Sequence, residues 1–126
     1  MKTANRQKTR KRLKQIADQG FAAYIRTRGA CQAAGLDEVR CNGRLQCAHI
    51  EGRGFHALRW DEMNALALCG GHHAFYTARP FFWAMFIAEH FPDQHAYVET
   101  HVRDVWNKDL EEVAARWAPW LPTRSG

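Results

Sequence analysis

The sequence predicts an α+β fold: a short two-stranded hairpin and a helix, flanked by helices at both ends of the chain. Three observations carry this. In residues 44–50 (RLQCAHI), Leu45, Cys47 and His49 alternate with Gln46, Ala48 and Ile50, the period of a strand. Residues 65–68 (ALAL) form a second short apolar segment, which its length reads as strand or turn, broken by Cys69-Gly70-Gly71. On either side, apolar residues recur at helical spacing: Leu13, Ile16, Ala17, Gly20, Phe21, Tyr24 and Ile25 upstream, and Trp106, Leu110, Val113 and Trp117 downstream.

Residues 1–14 (MKTANRQKTRKRLK) carry seven basic and no acidic side chains. We read 1–12 as a flexible basic arm able to neutralise phosphates through groups such as Arg10, Lys11 and Arg12. Residues 13–126 read as a single domain with a C-terminal helical extension. The first helix is expected from Leu13 to near Arg28-Gly29. An irregular loop follows over 29–40, then a turn at Cys41-Asn42-Gly43 and, after the first strand, a turn or wide loop at Glu51-Gly52-Arg53-Gly54. A helix is expected from His72 to about Thr77, and Pro80 suits the first turn of another. The bulky run Phe81–Phe91 reads as buried, Pro92-Asp93 as a break, and the terminal helix as ending at Pro119 and Pro122.

With 126 residues, 46% apolar content and five tryptophans, the chain can bury a core of its own. Lys+Arg 18 against Asp+Glu 13 leaves a net charge of +5, which favours a polyanionic partner. The longest apolar run, residues 81–88, is far short of the roughly 20 residues a bilayer requires, so no membrane role is expected. No secretory segment is visible, and a cytoplasmic location follows as an expectation. In a reducing compartment, four cysteines point to metal ligands or core thiols rather than disulfides.

Residues 41–73 hold three of the four cysteines and four of the seven histidines. Cys69-x2-His72 has the reach of a zinc half-site on a tight knuckle opened by two glycines. The other two ligands must come from Cys31, Cys41 and Cys47. A closed four-ligand zinc site would be structural, a cross-link for a unit with little core of its own. His49, Asn64 and His73 follow in order along the same stretch. Histidine suits a general base near neutral pH, and imidazole with an amide or carboxylate oxygen can hold one divalent ion.

That order, with Ala48-His49-Ile50, then Leu58-Arg59-Trp60-Asp61-x2-Asn64, then Leu68-Cys69-x2-His72-His73, resembles the HNH endonucleases. More narrowly it resembles the zinc-binding phage and prophage members and the Rap (NinG) recombination endonucleases, over roughly residues 24–91. The resemblance implies a ββα-metal, treble-clef-like core. His49 would be the general base, Asn64 would orient His49 or the metal loop or bind the ion itself, and His73 would bind a catalytic Mg²⁺ or Mn²⁺. It favours Cys31, Cys41, Cys69 and His72 as the ligands of a structural Zn²⁺, with Cys47 in place of Cys31 as the alternative. Arg53 and Arg59 would contact phosphate near the scissile bond. The implied activity is metal-dependent hydrolysis of DNA, including branched or phage recombination intermediates, in a bacterial host cell. The resemblance leaves open a degenerate module that binds DNA without cutting it, a packaging nuclease acting with a terminase, and the oligomeric state. One position departs from the pattern: HNH sites place an acidic residue or histidine before the first His, and here Ala48 stands there. Glu51, His56 and Asp61 are the substitutes near enough to consider, Asp61 first because it adjoins Asn64.

Overall fold

The computed structural model describes residues 2–122. Met1 and residues 123–126, the outer ends of the expected arm and domain, lie outside the described residues. The elements run α1 (Lys2–Arg26), β1 (Leu45–His49), α2 (His56–Arg59), a 3-10 turn (Glu62–Asn64), β2 (Ala65–Cys69), α3 (Gly70–Thr77), α4 (Pro80–His90), α5 (Pro92–His101), α6 (Leu110–Trp117) and a second 3-10 turn (Ala118–Trp120). The described residues divide into two compact units. One takes in residues up to Tyr24 together with those from Asn107 onward; the other is Ile25–Trp106.

In the first unit, α1 begins at Lys2 rather than at Leu13, where the apolar spacing starts. Lys, Arg, Gln and Ala fill residues 2–12 without Pro or Gly, and these residue types favour a helix even with no face to bury. Arg6, Lys8, Arg10, Lys11 and Arg12 are all exposed on it. Ala17 and Phe21 are buried with Leu110, Val113, Ala114 and Trp117 of α6. Phe21 meets the Trp117 ring edge-on, with centroids 5.0 Å apart, and Tyr24 packs on Trp117 and Trp120 at 5.2 and 4.8 Å. Gly20 has a steric reason: a Cβ there would come 1.9 Å from the Trp117 carbonyl oxygen. Asp109 caps α6, its Oδ1 accepting the Glu111 N–H at 3.0 Å. This helix opens four residues later than the apolar spacing suggests. Trp106 belongs instead to the second unit, packed on His56 and Trp60 at centroid distances of 5.5 and 5.9 Å.

In the second unit, β1 and β2 pair antiparallel with Leu45 opposite Cys69, Cys47 opposite Ala67 and His49 opposite Ala65. Gln46, Ala48, Leu66 and Leu68 therefore share one face. Ala48, Leu66 and Leu68 pack there with Ala33, Tyr76, Phe86 and Ile87, so α3 and α4 cover this side of the hairpin. The outer edge of β2 is closed by side chains. Gln32 donates its backbone N–H to the Ala67 carbonyl and accepts the Ala67 N–H at its Oε1, both at 2.8 Å. Arg28 donates to the Ala65 carbonyl at 2.8 Å, and Gln94 donates to the carbonyls of Met63 and Ala65 at 2.8 and 3.2 Å. All five residues of β2 are buried because both edges are satisfied.

The break expected at Pro92-Asp93 is present: α4 ends at His90, and Pro92 opens α5, since a proline at the first helical position gives up an N–H that has no partner anyway. One expectation is corrected here. The run 81–91 is only half buried. Phe86 and Ile87 are inside, while Phe81, Phe82 and Met85 are 74%, 54% and 54% exposed on the other side of α4.

Replacing Gly20 by Ala should destabilise the protein by about 3 kcal/mol, since the added methyl strikes backbone rather than a movable side chain. Chemical denaturation would read this. Gly54→Ala, which meets nothing within 4 Å, is the control expected to change little.

Candidate metal centre and the hairpin histidines

Cys69 ends β2 and caps α3, its Sγ accepting the His72 N–H at 3.4 Å. This places the His72 ring one turn into the helix, directly over the sulfur. Gly70 and Gly71 let the 40–43 turn lie against the start of the helix. The Gly71 N–H donates to the Asn42 carbonyl at 2.9 Å, and a Cβ on Gly71 would come 2.9 Å from Asn42 Oδ1. The close approach brings in Cys41, and the loop from Gln32 back to Cys31 completes the group.

The ligand atoms of Cys31, Cys41, Cys69 and His72 all lie within 4.8 Å of one another. His72 Nδ1 stands 3.6, 3.5 and 3.2 Å from the sulfurs of Cys31, Cys41 and Cys69. In a tetrahedral zinc centre, bonds of about 2.3 Å to sulfur and 2.0 Å to nitrogen set N-to-S edges of about 3.6 Å. The four residues expected from the sequence are thus gathered in a group that could hold a metal ion such as zinc. Cys47 is not part of it: its neighbours across the hairpin are those of a strand position.

Asp37 and Tyr76 surround the centre, and neither was expected. His72 Nε2 donates to Asp37 Oδ1 at 2.8 Å, and the Tyr76 hydroxyl donates to Asp37 Oδ2 at 2.6 Å. Burial works to raise the Asp37 carboxyl, but the Tyr76, His72 and Val39 donors outweigh it and hold it below the usual range. A carboxylate there fixes the imidazole as the tautomer with Nδ1 toward the sulfurs, the arrangement that orients and strengthens a histidine ligand. A signal for it was present in the sequence: His72 needs an acceptor for its second nitrogen, and the loop between Cys31 and Cys41 carries an acidic pair at 37–38. The thiols themselves differ. Burial opposes ionisation of Cys69, but the His72 backbone N–H and ring bring it down to about 6. Desolvation and the neighbouring Cys69 and Cys31 thiols push Cys41 up to about 11. Three sulfurs this close resist ionising together unless a cation joins them.

The histidines assigned to chemistry have other partners. His49 Nε2 lies 2.9 Å from the Arg59 carbonyl oxygen; a carbonyl only accepts, so Nε2 carries the proton and Nδ1 is the basic nitrogen. Asn64 is fully buried and spent on main chain. Its Oδ1 accepts the Glu51 N–H at 2.8 Å, and its Nδ2 donates to the carbonyls of Glu51 and Leu58, both at 3.0 Å. The Ile50 N–H donates to the Asn64 carbonyl at 2.9 Å. Asn64 therefore braces the two segments that adjoin His49 and its acceptor Arg59. His73 Nδ1 lies 2.6 Å from Gln46 Oε1, and burial lowers its pKa, which favours the neutral ring. Gln46 and His49 are three positions apart on β1, so their side chains leave opposite faces of the hairpin.

Among the described residues, the Cys31, Cys41, Cys69 and His72 group is the one place where three or more His, Cys, Asp or Glu side chains converge on a possible ion. Asp61 has both oxygens engaged: Oδ1 caps Met63 N–H at 2.9 Å and Oδ2 accepts the Tyr97 hydroxyl at 2.5 Å. His56 packs on Trp60 and Trp106. Ala48 is a core residue. Arg59 donates to the Arg53 carbonyl at 3.4 Å and lies over the Trp60 ring at 5.1 Å, while Arg53 is exposed in the loop.

Purified protein should carry one tightly held zinc per chain, measured by elemental analysis. Cys69→Ser should lose it and much of the folded circular dichroism signal, whereas Cys47→Ser should keep both. Asp37→Ala should weaken zinc by about 10–100-fold without removing a ligand. Because loading displaces thiol protons, affinity should fall as pH falls, read by competition with a chromophoric chelator. No helix among the described residues is long and apolar enough to cross a membrane. Compared with known proteins, the chain matches no family model, no curated protein and no solved structure.

Proposed function

We propose that the chain is a DNA endonuclease of the HNH type, in which β1, β2 and α3 form a zinc-stapled ββα unit and His49 is the general base. The observation that carries the reading is the fixed tautomer of His49. Its Nε2–H is held by the Arg59 carbonyl, and Asn64 pins both neighbouring segments, so the orientation of the imidazole is set in advance. Asn64 acts as a positioning residue. Arg53 and Arg59 supply positive charge on the loop between His49 and Asn64. The exposed basic helix over residues 3–12 adds a phosphate-binding surface whose like charges four residues apart, Arg6 with Arg10 and Lys8 with Arg12, are relieved by an anionic partner.

A divalent ion, when bound, supplies charge to the phosphate and the leaving oxygen. Of the residues expected to hold it, His73 is bonded to Gln46 on the hairpin face opposite His49, Asn64 and Asp61 are committed elsewhere and Ala48 has no ligand to give. This donor set is thin for Mg²⁺, which takes oxygen ligands, and no step is assigned to it. The thin set specifically favours a second reading, in which the same zinc-stapled fold holds DNA without cutting it.

Cleavage of plasmid and branched DNA, assayed with added Mg²⁺ or Mn²⁺, separates the two. On the nuclease reading His49→Ala loses at least 100-fold of the rate while binding is retained. Wild-type protein that binds but never cuts under either ion sinks that reading and leaves the binding module. Removing residues 1–12 takes away six basic side chains, so the slope of log affinity against log salt should fall by up to about 5 on duplex DNA. An unchanged slope would mean that the arm is a bystander.

A further inference from the structure

A cleft of about 710 Å³ lies in the second unit, between the loop that links Cys31 to Cys41 and the outward side of α4. Its floor is Tyr76 and Phe86, and Leu36, Phe82 and Met85 stand at its mouth, 40%, 54% and 54% exposed. Three large apolar side chains left in water around one concavity make a patch of the kind that marks an interaction site. Glu38 and Glu89 lie exposed at the rim, with His90 Nε2 3.7 Å from the Glu89 carboxylate and Asp37 behind them already committed to His72 and Tyr76. In a chain of net charge +5, this places negative charge on a cleft with an apolar mouth.

We propose that this cleft is a docking groove for a protein segment that presents apolar side chains flanked by lysine or arginine. The carboxylates at the rim repel phosphate-bearing ligands, both nucleic acid and anionic membrane, and attract ammonium and guanidinium groups. The apolar mouth takes the anchoring side chains of an amphipathic helix or turn, the recognition mode in which spaced apolar anchors fill a groove. One wall is set beforehand. The 31–41 loop is tied at both ends by cysteines of the metal centre, in its middle by Asp37, and near its start by Gln32 to β2. A wall fixed before binding lowers the ordering cost of docking. The proposal stands on the cleft and its charges and does not depend on the nuclease reading.

Two labelled synthetic amphipathic helices test it on the full zinc-loaded chain: the same leucine face flanked by lysines in one and by glutamates in the other. Fluorescence anisotropy should show the lysine helix binding at least tenfold more tightly. Met85→Glu, at an exposed position that leaves folding intact, should abolish this binding, and Glu89→Lys should erase the preference between the two helices. Equal binding of both helices, binding untouched by Met85→Glu, or no binding of either overturns the proposal. So does a concentration-dependent dimer that Met85→Glu abolishes, since the groove would then belong to a second copy of the chain.

Discussion

One imidazole carries the tightest constraint in the second unit. His72 has three sulfurs within 3.6 Å of Nδ1 and the Asp37 carboxylate at 2.8 Å from Nε2. It is also fully buried in the first turns of α3. Through that ring, three segments with no regular structure in common are tied together: the end of β2 by Cys69, the 40–43 turn by Cys41, and the loop before it by Cys31 and Asp37. A two-stranded hairpin of five-residue strands is marginal alone. Its apolar layer is small, built on Ala33, Ala48, Leu66 and Leu68 under three aromatic or branched residues of α3 and α4. Binding of a structural zinc in small domains is worth about 10–16 kcal/mol, more than such a layer contributes net, so a metal there would decide whether the unit folds.

The same economy appears at the sheet edge. With one neighbour for each strand, β2 would expose a row of carbonyls and amides on its far side. Gln32 supplies one donor and one acceptor at Ala67, as a third strand would, and Arg28 and Gln94 satisfy Ala65. Gln32 follows Cys31 directly, so the residue that closes the edge is positioned by the residue that enters the metal centre. Asn64 does the corresponding work at the other end of the hairpin, where its amide joins Glu51 to Leu58 and holds His49 opposite the start of β2. A disturbance at the sulfurs is therefore expected to reach His49 through β-pairing rather than through any direct contact.

What the sequence made legible follows from which signals are local. Cys69-x2-His72 states its own geometry, because three residues at the mouth of a helix have few ways to point. Alternation over Leu45–His49 gave the strand. Asp37 was missed because the acidic pair at 37–38 sits in an irregular loop with no period to tie it to a partner 35 residues away. Pro92 marked the end of α4, but a proline alone does not say whether another helix opens at it, and only the residues that follow decide. The run 81–91 misled for a different reason. Its apolar residues go all round α4, so composition says buried, while packing reaches one side: Trp83, Phe86 and Ile87 face the core, and Phe81, Phe82 and Met85 do not. Trp106 has helical spacing to Leu110, yet its ring is held by His56 and Trp60 before α6 begins.

Ala48 brings these threads to one residue. The position before His49 points under Tyr76, Phe86 and Ile87, opposite Leu66, with 2% of its surface exposed. A carboxylate placed there would be driven into an apolar layer, a loss of several kcal/mol unless a cation or donors met it. On that face of the hairpin Gln46 and His73 are already bonded to each other, and the Tyr76 hydroxyl is spent on Asp37. In this chain the strand position that an HNH nuclease would give to its ion contributes to the core instead, and the core in turn supports the Tyr76 that holds Asp37 and, through it, His72. On the proposed reading, stability of the zinc-stapled unit and strength of the second ion site are therefore set against each other at a single side chain.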